Sequence, residues 1–218
     1  MSFPGTPRIL RGGIALLDPA TGTVLRIVAL QYNPDTLTRS LQVQAAAAGG
    51  GSNDRSLALR LKGAAIETIK LEAEIDATDG LADPAANPDA VSVGIHPQLA
   101  VLESLVNPRA DALQANDALV SSGALEVLPP ESPLALFVWS KQRVVPVRVT
   151  ELSVTEEAFD AALNPIRAKV SLGLRVLTVD DVPFQHRAAA TFMSYLRTKE
   201  RLAARVKPVA AAQIGFEV

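Results

Sequence analysis

Glu72, Glu74 and Asp76 recur at every second residue of IKLEAEID (69–76) and are the first residues to test for acid–base chemistry. On a strand they share one face, roughly 7 Å apart from residue i to i+2. General acid–base work would need one of these carboxyls raised in pKa by burial. They alternate with Ile69, Leu71, Ala73 and Ile75, which gives a wet face opposite a buried one. The reading is a charged surface, because carboxylates are seldom buried without partners.

Other chemistries find less. His96 and His186 are the only histidines, far apart in sequence, and there are no cysteines, so a tight metal site would need converging carboxylates from several loops. His96 precedes Pro97 at a helix start and His186 opens the final helix, so surface or capping roles are expected. Gly49-Gly50-Gly51-Ser52 lacks the trailing Lys-Ser/Thr of a phosphate loop. No G-x-S-x-G elbow is present, and neither histidine lies beside a distinctive serine motif. Phe137 and Trp139 in LALFVWS are anchors of a core or of an interface, and the segment does not choose between them. The expectation is no enzyme, no cofactor and no metal.

The chain that must position these residues has 218 of them, enough for one large domain or two small ones and for a substantial core. Hydrophobic residues make up 48% but aromatics only 4%, so that core rests on Val, Leu, Ile and Ala. Lys+Arg number 21 against 23 Asp+Glu, far from the basic balance that a phosphate backbone demands, and no nucleic acid is expected. The N-terminus MSFPGTPRILRGGIALLDP carries no secretory pattern, and no apolar run reaches the roughly 18–20 residues of a membrane span. A soluble protein folded in the cytoplasm is expected, consistent with the lack of cysteine.

The elements follow from periodicity. Ile14–Leu17 and Thr23–Tyr32 form a hairpin around Asp18-Pro19-Ala20-Thr21-Gly22, Asn33-Pro34 breaks the run, and Thr36–Gln44 is a third strand. AAAAGGGSNDRS (45–56) reads as a flexible loop. Leu57, Leu59 and Leu61 alternate just before the strand that carries the carboxylates. A short helix runs from Pro97 to about Val106, and Arg109–Val120 is ambiguous. Leu134–Ser140 and Val144–Val154 form an antiparallel pair around Lys141-Gln142, Thr155–Asn164 interrupts, and Ala168–Thr178 resumes. Gln185–Val206 carries a helical apolar stripe. The fold class is β-rich α+β, a barrel or sandwich with helical additions. Residues 1–184 form the β domain and 185–218 the C-terminal helix and tail.

LQYNPDTLTRSLQ (30–42), SVGIHPQLAVLESLVNP (92–108) and PLALFVWSKQRVVPVRVTELSVTEEAFDAALNPIRAKVSLGLRVLT (133–178), with the helical segment after them, resemble one family. It is the tube-type hub-adaptor protein of contractile injection systems, phage-tail-like particles of bacteria. The resemblance spans nearly the whole chain and is most specific in TELSVTEEAFDAALNPIRAKVSL. It implies a tube-protein-like antiparallel β-barrel that assembles into a hexameric baseplate ring between a trimeric spike hub and the inner tube. Many members carry a C-terminal LysM module; here the chain stops at AAQIGFEV (211–218), and the module is expected to be absent.

The partners implied are copies of the chain in a hexameric ring, the spike or hub protein, the inner tube protein and other baseplate proteins, with no membrane insertion by this chain. The implied location is the cytoplasm, within a phage-tail-like particle whose extracellular release the sequence leaves open. Subunit-interface candidates are Tyr32, Asn33 and Arg39 at the corner after the second strand, and Glu72 and Glu74 on the charged face. Thr155, Glu156, Glu157, Phe159 and Asn164, read as an exposed excursion between paired strands, complete the set with Arg167. Rival readings are the inner tube protein itself and a small-ligand-binding β-barrel with a closed apolar cavity.

Overall fold

The computed structural model describes residues 10–45, 60–123 and 132–208. The Gly-rich segment and the residues Leu57 and Leu59 lie outside them, as does the tail after 208. Seven strands form one antiparallel sheet: β1 (Gly13–Leu17), β2 (Val24–Ala29), β3 (Leu37–Gln42), β4 (Ile66–Asp76), β5 (Leu134–Ser140), β6 (Arg143–Phe159) and β7 (Pro165–Val176). Their order is β2-β1-β5-β6-β7-β4-β3. Five helices are described: α1 (Thr78–Leu81), α2 (Pro88–Val93), α3 (His96–Glu103), α4 (Ala110–Ser121) and α5 (Arg187–Ala203). The ambiguous stretch after Arg109 is therefore helix, with no buried residue.

The period-two pattern of β4 holds: Ile69, Leu71, Ala73 and Ile75 are buried. They pack with Val170, Leu172 and Leu174 of β7, Phe137 of β5, and Val145 and Val147 of β6. Leu99 and Leu102 of α3 and Phe192 and Tyr195 of α5 belong to the same core. Phe137 is thus a core residue, while Trp139, stacked on it at 5.7 Å between ring centroids, is only half-buried. The final helix shows its 3.6-residue stripe and is opened by His186, whose Nδ1 accepts from the backbone N–H of Ala188 at 3.1 Å.

A β-bulge reconciles β6 with the core. Val145, Val147 and Val149 share the inner phase, and strict alternation would next turn Glu151 inward. The register shifts between Val149 and Glu151, so Leu152 and Val154 point inward opposite Leu172 and Val170. Gly173 faces the bulge: a Cβ there would sit 3.0 Å from that of Glu151.

Two expectations are corrected. The sheet is open, not a closed barrel: β2 and β3 are its two edges and do not pair. α3 packs where closure would occur, leaving an open apolar cleft of about 340 Å³ between Val28 and Leu30 on one side and Ala73 and Ile75 on the other, with Val101 and Leu102 along it. Thr155–Phe159 is also not an excursion. These residues end β6 and pair with β7 down to Phe159↔Pro165, so only Asp160–Asn164 makes the turn.

Candidate functional site

The interface candidates fall into four places rather than one. Tyr32 and Asn33 lie where β2 ends. The Asn33 side chain acts as a substitute rung of the sheet: Nδ2 donates to the carbonyl of Leu10 at 2.8 Å, and Oδ1 accepts from the Gly12 N–H at 2.8 Å. Gln31 does the same for Asp76, donating to its carbonyl at 2.7 Å and accepting from its N–H at 2.9 Å. Pro34 can donate nothing to a ladder, so side-chain amides take over where the backbone turns away. The Tyr32 hydroxyl donates to Asp79 at 3.3 Å, and its ring is exposed.

Arg39 turns inward from β3. Its Nε donates to Oε1 of Glu67 at 2.6 Å and an Nη to the Tyr195 hydroxyl at 3.0 Å. Tyr195 in turn donates to Glu67 at 3.1 Å, and Nζ of Lys199 reaches Oε2 at 2.9 Å while lying 4.2 Å from the Tyr195 ring centroid. Glu67 is only 2% exposed. Its burial pushes the carboxyl pKa up, but the hydrogen bonds and charges of Arg39 and Lys199 together outweigh that and hold it below the ordinary value. This knot joins β3, β4 and α5.

Glu67 is not among the sequence candidates, although a signal for it exists. Extending the β4 alternation back two residues from Ile69 places position 67 on the buried face, where a carboxylate needs partners. Those partners lie 28, 128 and 132 residues away, beyond any local pattern.

Glu72, Glu74, Glu157 and Arg167 sit on the outer face of β4, β7 and β6. Arg167 Nε lies 2.9 Å from Asp76 and 3.5 Å from Glu74; Lys169 Nζ lies 2.9 Å from Glu157. Hydrogen bonds from Thr78 and then burial and Arg167 act on Asp76, with a net lowering of its pKa. The charged face is therefore laced across strands, although exposed pairs of this kind contribute little each. Glu72 has no such partner among the described residues.

Thr155, Glu156 and Phe159 lie on the outlying end of the β6–β7 hairpin and are exposed. Its turn is held from within: Asp160 accepts from the backbone N–H groups of Ala162 and Asn164 and from Asn164 Nδ2, each at 2.8 Å. These bonds, the Asn164 side chain first, keep the Asp160 pKa low. Asn164 also donates to the carbonyl of Ser92, and the Ile95 N–H to that of Pro165 at 3.0 Å, which ties the hairpin to the α2–α3 corner. Ala158 and Leu163 take positive φ of 53° and 64°, uncommon for residues with a Cβ, and Leu163 is 77% exposed.

The two sheet edges carry apolar side chains into solvent. Val24, Leu25 and Ile27 are exposed on β2, with Ile27 at 68%, and Leu41 and Val43 on or beside β3, with Val43 at 65%. Among the described residues no group of three or more His, Asp or Glu could hold a metal ion, and no helix is long and apolar enough to cross a membrane.

No family description and no curated protein matches the sequence. Among solved structures the chain is similar to a chain in the tail of an empty gene transfer agent (GTA) particle with C6 symmetry, at 10% identity and a TM-score of 0.30, over 76% of this chain and 90% of that one. It is also similar to a chain in the virion of the native gene transfer agent particle, at 10% identity and a TM-score of 0.29, over 77% and 91% respectively.

Proposed function

We propose that the chain is a non-enzymatic structural subunit of a contractile injection baseplate, an adaptor ring joining the spike hub to the inner tube. The observation that carries this reading is an open sheet whose two edge strands pair with nothing beyond the sheet among the described residues and expose apolar side chains. A free edge is a template for pairing with another chain, and natural monomers blunt such edges with charge, bulges or cover. Here β2 has one bulge and one exposed charge, Arg26, yet still offers Val24, Leu25 and Ile27 to solvent, and β3 offers Leu41. Two different edges meeting head to tail make a heterologous contact, which closes as a ring when the rotation allows.

The strand order adds a constraint. Seven antiparallel strands leave β2 and β3 running in the same direction, so a sheet continued from copy to copy pairs them parallel. Because the chain has no cysteine, Ile27→Cys and Leu41→Cys introduce the only thiols. The double variant should form covalent oligomers on oxidation within purified particles, and each single variant should not. Electron microscopy of particles recovered through a tag on this chain should show it as one ring beside the hub. Recovery as a lone monomer with no sheath or spike protein would sink the reading.

A small-ligand site is favoured by one feature, the apolar cleft between β2 and β4. It is open to solvent rather than a closed cavity, and the free edges have no role in that alternative.

A further inference from the structure

A second pocket, of about 240 Å³, opens between the end of α5 and the β5–β6 turn. Three cations line it: Arg39, Arg143 and Lys199. Among the described residues no carboxylate lines it; Glu67, buried beneath, is bonded to both Arg39 and Lys199. Two positive charges are therefore left without a counter-charge. Arg143 is half-buried; its backbone pairs with Ser140 where β6 begins, and its guanidinium bonds to no group among the described residues. Holding like charges together in a concave, partly apolar site raises the local potential and attracts an anion.

We propose that this pocket receives a carboxylate side chain presented by another protein chain. Arg143 supplies the bidentate fork suited to a carboxylate, and Lys199 a second positive charge. Trp139 and Leu202 form an apolar wall for the methylene stem of a glutamate, a feature that a bare phosphate would not use. Gln142 adds a side-chain amide at the rim. Gly12 makes this wall possible, since a Cβ there would lie 2.6 Å from the Trp139 ring. The pocket binds a carboxylate whether or not the chain is a particle subunit, so its failure and that of the ring reading are separable.

Trp139 is the only tryptophan and reports from inside the pocket. The full chain is titrated at constant ionic strength with the peptide acetyl-Ala-Glu-Glu-Ala-amide, with glutarate and with inorganic phosphate, following Trp139 fluorescence. The expected result is a saturable change with the peptide, weakened about tenfold or more by Arg143→Ala, the size of one charge-assisted contact. Partial recovery is expected in Arg143→Lys, and the Tm of both variants should match the wild type because the guanidinium makes no bond among the described residues and the backbone pairing with Ser140 is kept. No saturable response, binding independent of Arg143, or tighter binding of phosphate or glutarate than of the peptide would each overturn the proposal.

Discussion

At the scale of single residues, Glu67 decides most. It occupies a position that strand periodicity assigns to the core, and three partners make its charge tolerable there. Glu67→Ala leaves Arg39 and Lys199 facing each other; both are partly exposed and can rehydrate in part, so a loss of about 2–3 kcal/mol is expected in urea unfolding. The pH dependence has a definite sign. A carboxyl whose folded pKa lies below its unfolded value stabilises the fold above the unfolded value and loses that contribution as pH falls through the folded one. For Glu67 the loss begins near 4.5 and for Asp76 near 3.8, and both continue downward. Thermal unfolding from pH 6 to pH 3 should show a falling Tm, and Glu67→Gln, already lower at pH 6, should fall less steeply.

At the scale of elements, the β6–β7 hairpin is an internally braced arm rather than a loop. Gly94 shows the bracing: its φ is +58°, and a Cβ would collide with the carbonyl oxygen of Pro165, the acceptor for Ile95. Gly94→Ala should therefore cost about 1–3 kcal/mol, read as a lowered denaturation midpoint. The exposed end behaves differently. Phe159→Ser and Leu163→Ser remove side chains that are 50% and 77% exposed, so stability should fall by no more than about 1 kcal/mol. If that end meets a neighbouring subunit, as proposed for the ring, the same pair should abolish incorporation into particles. Normal incorporation would remove the arm from the interface.

At the scale of the whole molecule, an open sheet is left with two edges and one covered face. A closed barrel would have satisfied every strand internally; here Gln31 and Asn33 supply side-chain rungs at one corner, and α3 lies along the cleft that stays open. Ile27→Lys and Leu41→Lys place charge on the two edges. Each should leave the isolated chain folded by circular dichroism and, if the proposed ring forms through these edges, prevent its assembly as measured by sedimentation. Rings formed by both variants would show that the edges are not the joints.

The amino-acid sequence by itself determined the strands, because one buried face imposes a period of two that Ile69–Ile75 and Val170–Val176 display without reference to anything distant. It likewise determined the amphipathic final helix and the turn at Asp18–Gly22, since propensity and turn chemistry act over a few residues. Barrel closure, the length of β6 and the fate of Arg39 were decided only by tertiary structure. Closure depends on which edges meet, the bulge at Thr150 depends on what β7 presents opposite it, and Arg39 is claimed by a carboxylate and a tyrosine that the chain brings close only once α5 has docked.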